Sequence, residues 1–112
     1  MISMLGQERR LFMVAQKDAT VVGLCEASIE SVCDHSHYRD RIYAVVWQLV
    51  VKKTEQRQGI GSALLESTIQ WARERGRQQV ELSVSENNHA AIELYESAGF
   101  RAYKRMLVKF IE

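Results

Sequence analysis

Gln56-Arg57-Gln58-Gly59-Ile60-Gly61 is the segment of this chain best suited to chemistry. Its two glycines let the backbone turn sharply and meet a ligand with no Cβ in the way. An apolar helical pattern begins at Ile60, and successive N–H groups at a helix N-terminus form a hollow that fits phosphate oxygens. Anion binding is thus a physical expectation here. The plainer reading of the same residues is a glycine-rich turn into a packed helix. Two familiar phosphate motifs fail. A nucleotide triphosphatase loop ends in Gly-Lys-Ser/Thr, whereas Gly59 is followed by Ile60-Gly61-Ser62. A dinucleotide fingerprint needs a small residue where Leu64 stands and an acidic residue ending the next strand, where Val84-Ser85 lies.

A second pair with chemical potential is Asn88 and Tyr95. Seven residues apart, they fall two turns along one face of a helix. Asn88 suits an N-cap, and Tyr95 beside Leu94 also reads as a core aromatic. His35-Ser36-His37 carries two metal-binding side chains, but no further ligand cluster accompanies them, so no metal site is expected.

The elements that must hold these residues follow from apolar patterning. Leu11–Ala15 and Val21–Ile29 read as strands of an antiparallel hairpin, with residues 16–20 as its loop. Residues 30–41 are polar, and Asp34–His37 reads as a loop. Ile42–Val51 is almost continuously apolar, which suggests a central strand covered on both faces. Ile60, Leu64, Thr68, Trp71 and Ala72 fall at helical spacing, with Leu65 and Ile69 widening the stripe. That helix should run to about Arg75, with Gly76 as its cap. Val80–Val84 alternates like a strand, giving a right-handed crossover and a parallel or splayed strand pair. A second helix follows from Asn88 to about Ala98, ended by Gly99. Residues 100–111 are β-rich again, as one long strand or a tight hairpin. The class is α+β.

Composition bounds the functions. The chain of 112 residues is 46% hydrophobic and 26% charged, as expected of one soluble domain, residues 1–112. Fifteen basic residues against fourteen acidic ones leave a net charge of +1, so no global field favours nucleic acid or a membrane surface. The N-terminus lacks a signal-peptide pattern, and no apolar run approaches the ~18–20 residues of a membrane span. Cys25 and Cys33 are too few for a disulfide framework and read as reduced thiols. A cytoplasmic setting is the expectation.

With these elements in place, the sequence resembles the GNAT acetyltransferases. Gln56-Arg57-Gln58-Gly59-Ile60-Gly61 matches their Gln/Arg-x-x-Gly-x-Gly/Ala element. Residues 88–100, Asn-His-Ala-Ala-Ile-Glu-Leu-Tyr-Glu-Ser-Ala-Gly-Phe, match their second element. The resemblance covers about residues 11–111. It implies acetyl-coenzyme A as cosubstrate, with the pyrophosphate on the amides of Arg57, Gln58, Gly59, Ile60, Gly61 and Ser62, and Gln56 nearby. The pantetheine arm would then lie where the strand ending at Val51 splays from Val80–Val84. There it would bond the backbone of Leu49 and Val51 like an added strand and contact Asn88 and Ala91. A backbone N–H near Val50 would stabilise the oxyanion. Tyr95 would act as general acid toward the leaving thiolate, a fair match for a phenol of pKa about 10.

Three departures from the family bear on function. Gln48 stands where a general-base carboxylate is expected, so Glu26, Glu30, His35 and His37 become candidates for the base. If none serves, the amine arrives neutral. Family members begin with a strand and two helices, whereas about ten residues precede the hairpin here. The hairpin would then expose an edge and an apolar face, which predicts a homodimer. The leading reading is transfer of acetyl to a primary amine of a small molecule or peptide. The alternative is a non-catalytic acyl-coenzyme A sensor or regulatory module. Trp47, Tyr43 and Tyr38 are candidate acceptor-pocket aromatics, and nothing in the sequence selects one acceptor.

Overall fold

Side-chain alternation and a single helical stripe determine where this chain buries itself. A computed structural model describes residues 2–6, 8–32 and 41–112. Cys33, the Asp34–His37 segment with its candidate histidines, and Tyr38 lie outside the described residues. The elements are β1 (Ile2–Gly6), β2 (Arg10–Lys17), β3 (Thr20–Val32), β4 (Arg41–Val51), α1 (Ile60–Glu74), β5 (Val80–Leu82) and α2 (His89–Ser97). The sheet runs β1-β2-β3-β4-β5; every pairing is antiparallel except β4 with β5, which is parallel. This is the mixed, mostly antiparallel α+β sheet with two helices that the patterning predicted.

The core lies between α1 and one face of the sheet. Leu64, Leu65, Thr68, Trp71 and Ala72 form the buried side of α1. Leu11 and Met13 of β2, Cys25 and Ala27 of β3, and Ala44 and Val46 of β4 meet them. Thr68 is the polar member. Its hydroxyl donates to the Leu64 carbonyl at 2.9 Å and lies 3.2 Å from the Cys25 thiol, so a buried hydroxyl in the stripe is satisfied within the core. Arg75 and Gly76 close α1 with amides returning to Ala72 and Arg73, and Gly76 takes φ 72° as a helix-ending glycine does.

The observed elements depart from the expectations in four places. The β2–β3 loop is a two-residue turn, Asp18–Ala19, with φ 52° and 66°. Two positive φ values in a two-residue turn suit the right-handed twist of a hairpin, so both strands run further than their apolar cores suggest. Strand β1 precedes the hairpin and covers the edge of β2; at five residues, Ile2-Ser3-Met4-Leu5-Gly6, it is too short to announce itself.

Strand β4 is not covered on both faces. Ala44 and Val46 face α1, while Trp47, at 58% exposure, and Val50, at 53%, face outward. The run is continuous because apolar side chains, Tyr43, Val45 and Val50 among them, also occupy the outward face, and a bulge shifts its phase. Glu26 pairs with Gln48 and Ala27 with Val46, leaving Trp47 unmatched and reversing the alternation. Finally, residues 101–112 form no strand, and Tyr103, Met106, Leu107, Val108, Phe110 and Ile111 are 72–90% exposed. A strand exists only through a ladder, and no described strand of this chain runs beside that segment.

Candidate active site

The bulge at Trp47 also opens the sheet. β4 and β5 pair only through Ala44, Val45 and Val46 with Val80, Glu81 and Leu82. Beyond the bulge the two strands part and enclose an open groove of about 270 Å³. Gln48, Leu49 and Val50 form one wall, Ser83, Val84 and Ser85 the other, and Asn88, Ala91 and Tyr95 of α2 complete it. A hollow of about 340 Å³ between Met4 and the Glu66–Glu74 side of α1 contains none of the predicted site residues.

Ladder geometry decides which backbone groups reach the groove. The Lys52 amide donates to Val22 at 2.8 Å, so alternation turns Val50 and Gln48 toward β3 as well. Leu49 and Val51 therefore direct their N–H and C=O groups away from β3, into the gap. These are the backbone groups that a ligand lying like an added strand would meet. The N–H of Val50 belongs to the β3 ladder, and the groove-facing N–H groups near it are those of Leu49 and Val51. The Val51 carbonyl is already engaged, accepting from the Gln56 side chain at 3.1 Å.

That bond ties the glycine loop to the end of the groove wall. A single 3-10 turn, Lys53–Glu55, leads to it, and Lys17 holds Glu55 in an ion pair at 3.3 Å. Arg57 and Gly59 take φ 67° and 82°, and Arg57 and Gln58 are exposed. No side chain caps α1, so the first-turn amides around Ile60, Gly61 and Ser62 have no capping acceptor. The two glycines serve different ends. A Cβ at Gly59 would meet nothing within 4 Å, so the space above it is open. A Cβ at Gly61 would lie 3.2 Å from Leu94 and 3.6 Å from Val51, so Gly61 lets α2 approach α1.

Across the groove, Asn88 caps α2 by accepting from the Ala91 amide at 3.2 Å. Tyr95 is half-buried and meets Phe100 edge-on, with centroids 6.0 Å apart. Burial holds its phenol above the ordinary value, and the Cys25 thiol adds to the shift, so the ring stays protonated. On the sheet face opposite α1, Gln48 donates its side-chain amide to Glu26 at 2.8 Å. The Trp47 indole N–H donates to Ser28 at 2.7 Å, and Ser28 donates to Glu30 at 2.7 Å. Ser85 borders the groove although the sequence reading did not assign it there, and Trp47, a candidate acceptor-pocket aromatic, borders it as well.

Comparison with known proteins agrees with this geometry. The profile of the Acetyltransferase (GNAT) family matches residues 2–100. An uncharacterized N-acetyltransferase of Methanocaldococcus jannaschii is 33% identical over 89 residues, 80% of this chain and 38% of that protein. The [ribosomal protein bS18]-alanine N-acetyltransferase of Escherichia coli K12 is 46% identical over 57 residues, 51% of this chain and 38% of that protein. The chain thus spans about two fifths of the length of these curated relatives. A crystal structure of a point mutant of a Bacillus halodurans protein, BH1408, superposes with TM-score 0.87 at 20% identity, covering 94% of this chain and 68% of that one. That likeness concerns the fold alone. With the profile spanning both glycine loop and capped second helix, the chain belongs to the GNAT acetyltransferase family.

Proposed function

We propose that the chain transfers the acetyl group of acetyl-coenzyme A to a primary amine by direct attack, with Tyr95 protonating the departing thiolate. The groove carries this reading: a bulge-split strand pair exposes the backbone of Leu49 and Val51 opposite a half-buried, protonated Tyr95. The pantetheine arm fits as an added strand along β4, and the pyrophosphate fits the uncapped amides of Ile60, Gly61 and Ser62 beside Arg57 and Gln58. Asn88 and Ala91 border the arm. The E. coli relative's name supports a peptide N-terminal alanine as the first acceptor to try.

The decisive experiment follows thiol release from acetyl-coenzyme A with an alanine-terminated peptide. Replacing Tyr95 with Phe keeps the ring against Phe100 and removes the proton, so kcat should fall by ~10²–10⁴. An unchanged kcat would end the general-acid assignment.

A second reading, a non-catalytic acyl-coenzyme A sensor, is favoured by one observation. Among the described residues bordering the groove there is no carboxylate, and Gln48 offers only an amide. Coenzyme binding without transfer to any amine separates the two. A second copy of the chain is the partner inferred for the exposed apolar segment 101–112, and a monomer by sedimentation would refute it.

A further inference from the structure

We propose that Glu26 is the carboxylate that accepts the proton of the acceptor amine, one strand away from the position occupied by Gln48. The proposal rests on the acetyltransferase reading above. An amine arriving as an ammonium must lose a proton before its nitrogen can attack, and no carboxylate borders the groove among the described residues.

Glu26 is the cross-strand partner of Gln48, and the two side chains share the face opposite α1. Gln48 reaches both sites: it borders the groove, and its amide donates to one Glu26 oxygen at 2.8 Å. That bond fixes the carboxylate next to Gln48 through one oxygen and a neutral donor, and leaves its second oxygen to receive a proton. An Arg or Lys in place of Gln48 would have neutralised it.

Glu30 is differently placed. It accepts from Ser28, whose oxygen also receives the Trp47 indole, so it serves to fix the Trp47 ring. It also lies four residues further along β3, about 13 Å at strand rise. Among the described side chains, the charged and titratable groups that the registers place on Glu26's face are Arg10 on β2, opposite Ser28, Glu30 on β3, Tyr43 on β4 and Glu81 on β5, opposite Val45. Its direct neighbours across the two ladders, Phe12 and Gln48, carry no charge. Tyr95 stands in the adjoining groove, and the Cys25 thiol lies on the α1 side.

The step then balances. Glu26 takes one proton from the ammonium, and the freed lone pair forms the C–N bond at the thioester carbonyl. The C–S bond breaks as the tetrahedral intermediate collapses, and the thiolate takes the Tyr95 proton. Glu26 returns its proton to solvent, the amide nitrogen loses its surplus proton, and Tyr95 is reprotonated from it or from water.

The test measures acetyl transfer by the full chain to an alanine-terminated peptide and to kanamycin from about pH 3.5 to 9, a range that spans ordinary carboxylate titration, for wild type, Glu26→Gln and the exchange Glu26→Gln with Gln48→Glu. Glu26→Gln should lower kcat/KM about 100-fold or more and level the acid limb of the profile, with acetyl-coenzyme A affinity unchanged. The exchange keeps a cross-strand bond between amide and carboxylate and should restore most of the rate together with the acid limb. Glu26→Gln with the wild-type profile, or an exchange as slow as the single variant, would overturn this proposal alone. If the wild-type chain binds acetyl-coenzyme A yet acetylates neither amine, the acetyltransferase reading falls and Glu26 with it.

Discussion

Gly23 on β3 lies directly beneath the first turn of α1, and replacing it with Ala tests whether that turn is a ligand platform. A Cβ there would sit 3.0 Å from the Ile60 Cγ2 and 3.0 Å from the Leu64 Cδ1, with the Val50 carbonyl at 3.4 Å. Comfortable carbon contacts need about 3.5–4.0 Å, so two atoms must each yield roughly half an ångström or more. Neither can swing aside cheaply. Ile60 is β-branched and stiff in a helix, and Leu64 is fully buried. The first turn of α1 must therefore lift. Overpacking of this kind costs about 1–3 kcal/mol, offset by about 0.4–1 kcal/mol from the stiffer unfolded chain. The net loss of about 1–2 kcal/mol corresponds to a Tm lower by roughly 3–10 °C in a domain of this size. Calorimetric titration with acetyl-coenzyme A should show weaker binding than this stability loss alone produces in a folded protein, because the amides of Gly61 and Ser62 move with the turn. A Gly23→Ala variant with wild-type Tm and wild-type affinity would show that the contact has slack, and the argument for a rigid platform would fail.

Other outcomes follow from single contacts. Asn88→Ala removes the acceptor of the Ala91 amide and should cost about 1 kcal/mol in urea unfolding, with the unfolding slope unchanged. Thr68→Val removes the Cys25 thiol's hydrogen-bond partner in the core and should destabilise by about 1 kcal/mol, read by the same unfolding assay. The pH dependence has a definite sign. Burial is the first cause of the raised pKa of both Cys25 and Tyr95, so the folded state holds protons that the unfolded chain releases. Stability should be intact below the unfolded thiol value, near ~8.5, and fall as pH rises through the folded values; Tyr95→Phe should remove the phenol's share of that fall in an alkaline Tm series.

The residues that were legible in the sequence are those whose signal is local. Gly76 and Gly99 after helical stripes, Asn88 before one, and the paired glycines at Gly59 and Gly61 each act within a few residues of themselves. The bulge was not legible from the residues alone, since a single unmatched residue leaves no mark in composition; only the family resemblance implied a bulged strand before the glycine loop. It shows only as an apolar run that changes phase, which also describes a strand buried on two faces. The packing role of Gly61 was hidden for a related reason: a glycine that admits a ligand and one that admits a leucine look alike until α2 is placed. The link between Gln48 and Glu26 depends on the β3–β4 register, and that register depends on the same bulge. Nothing in residues 101–112 tells which neighbour they need, because alternation specifies a ladder without naming its other strand.

The unmatched Trp47 gives β4 something like a reading frame. Just upstream of it the even-numbered Ala44 and Val46 belong to the core; just downstream the odd-numbered Leu49 packs against it. Deleting Trp47 would close the bulge into a regular ladder, with Gln48 following Val46 as Glu26 precedes Ala27, so every residue from Gln48 to Val51 would keep its face and partner. What would be lost is the local bend that parts β4 from β5, and with it the groove. Substitutions at Trp47 leave that frame intact. In this stretch the length of the chain is therefore under tighter constraint than its chemistry, and variation is expected to come as exchange of residues, with insertion and deletion confined to the turns at either end.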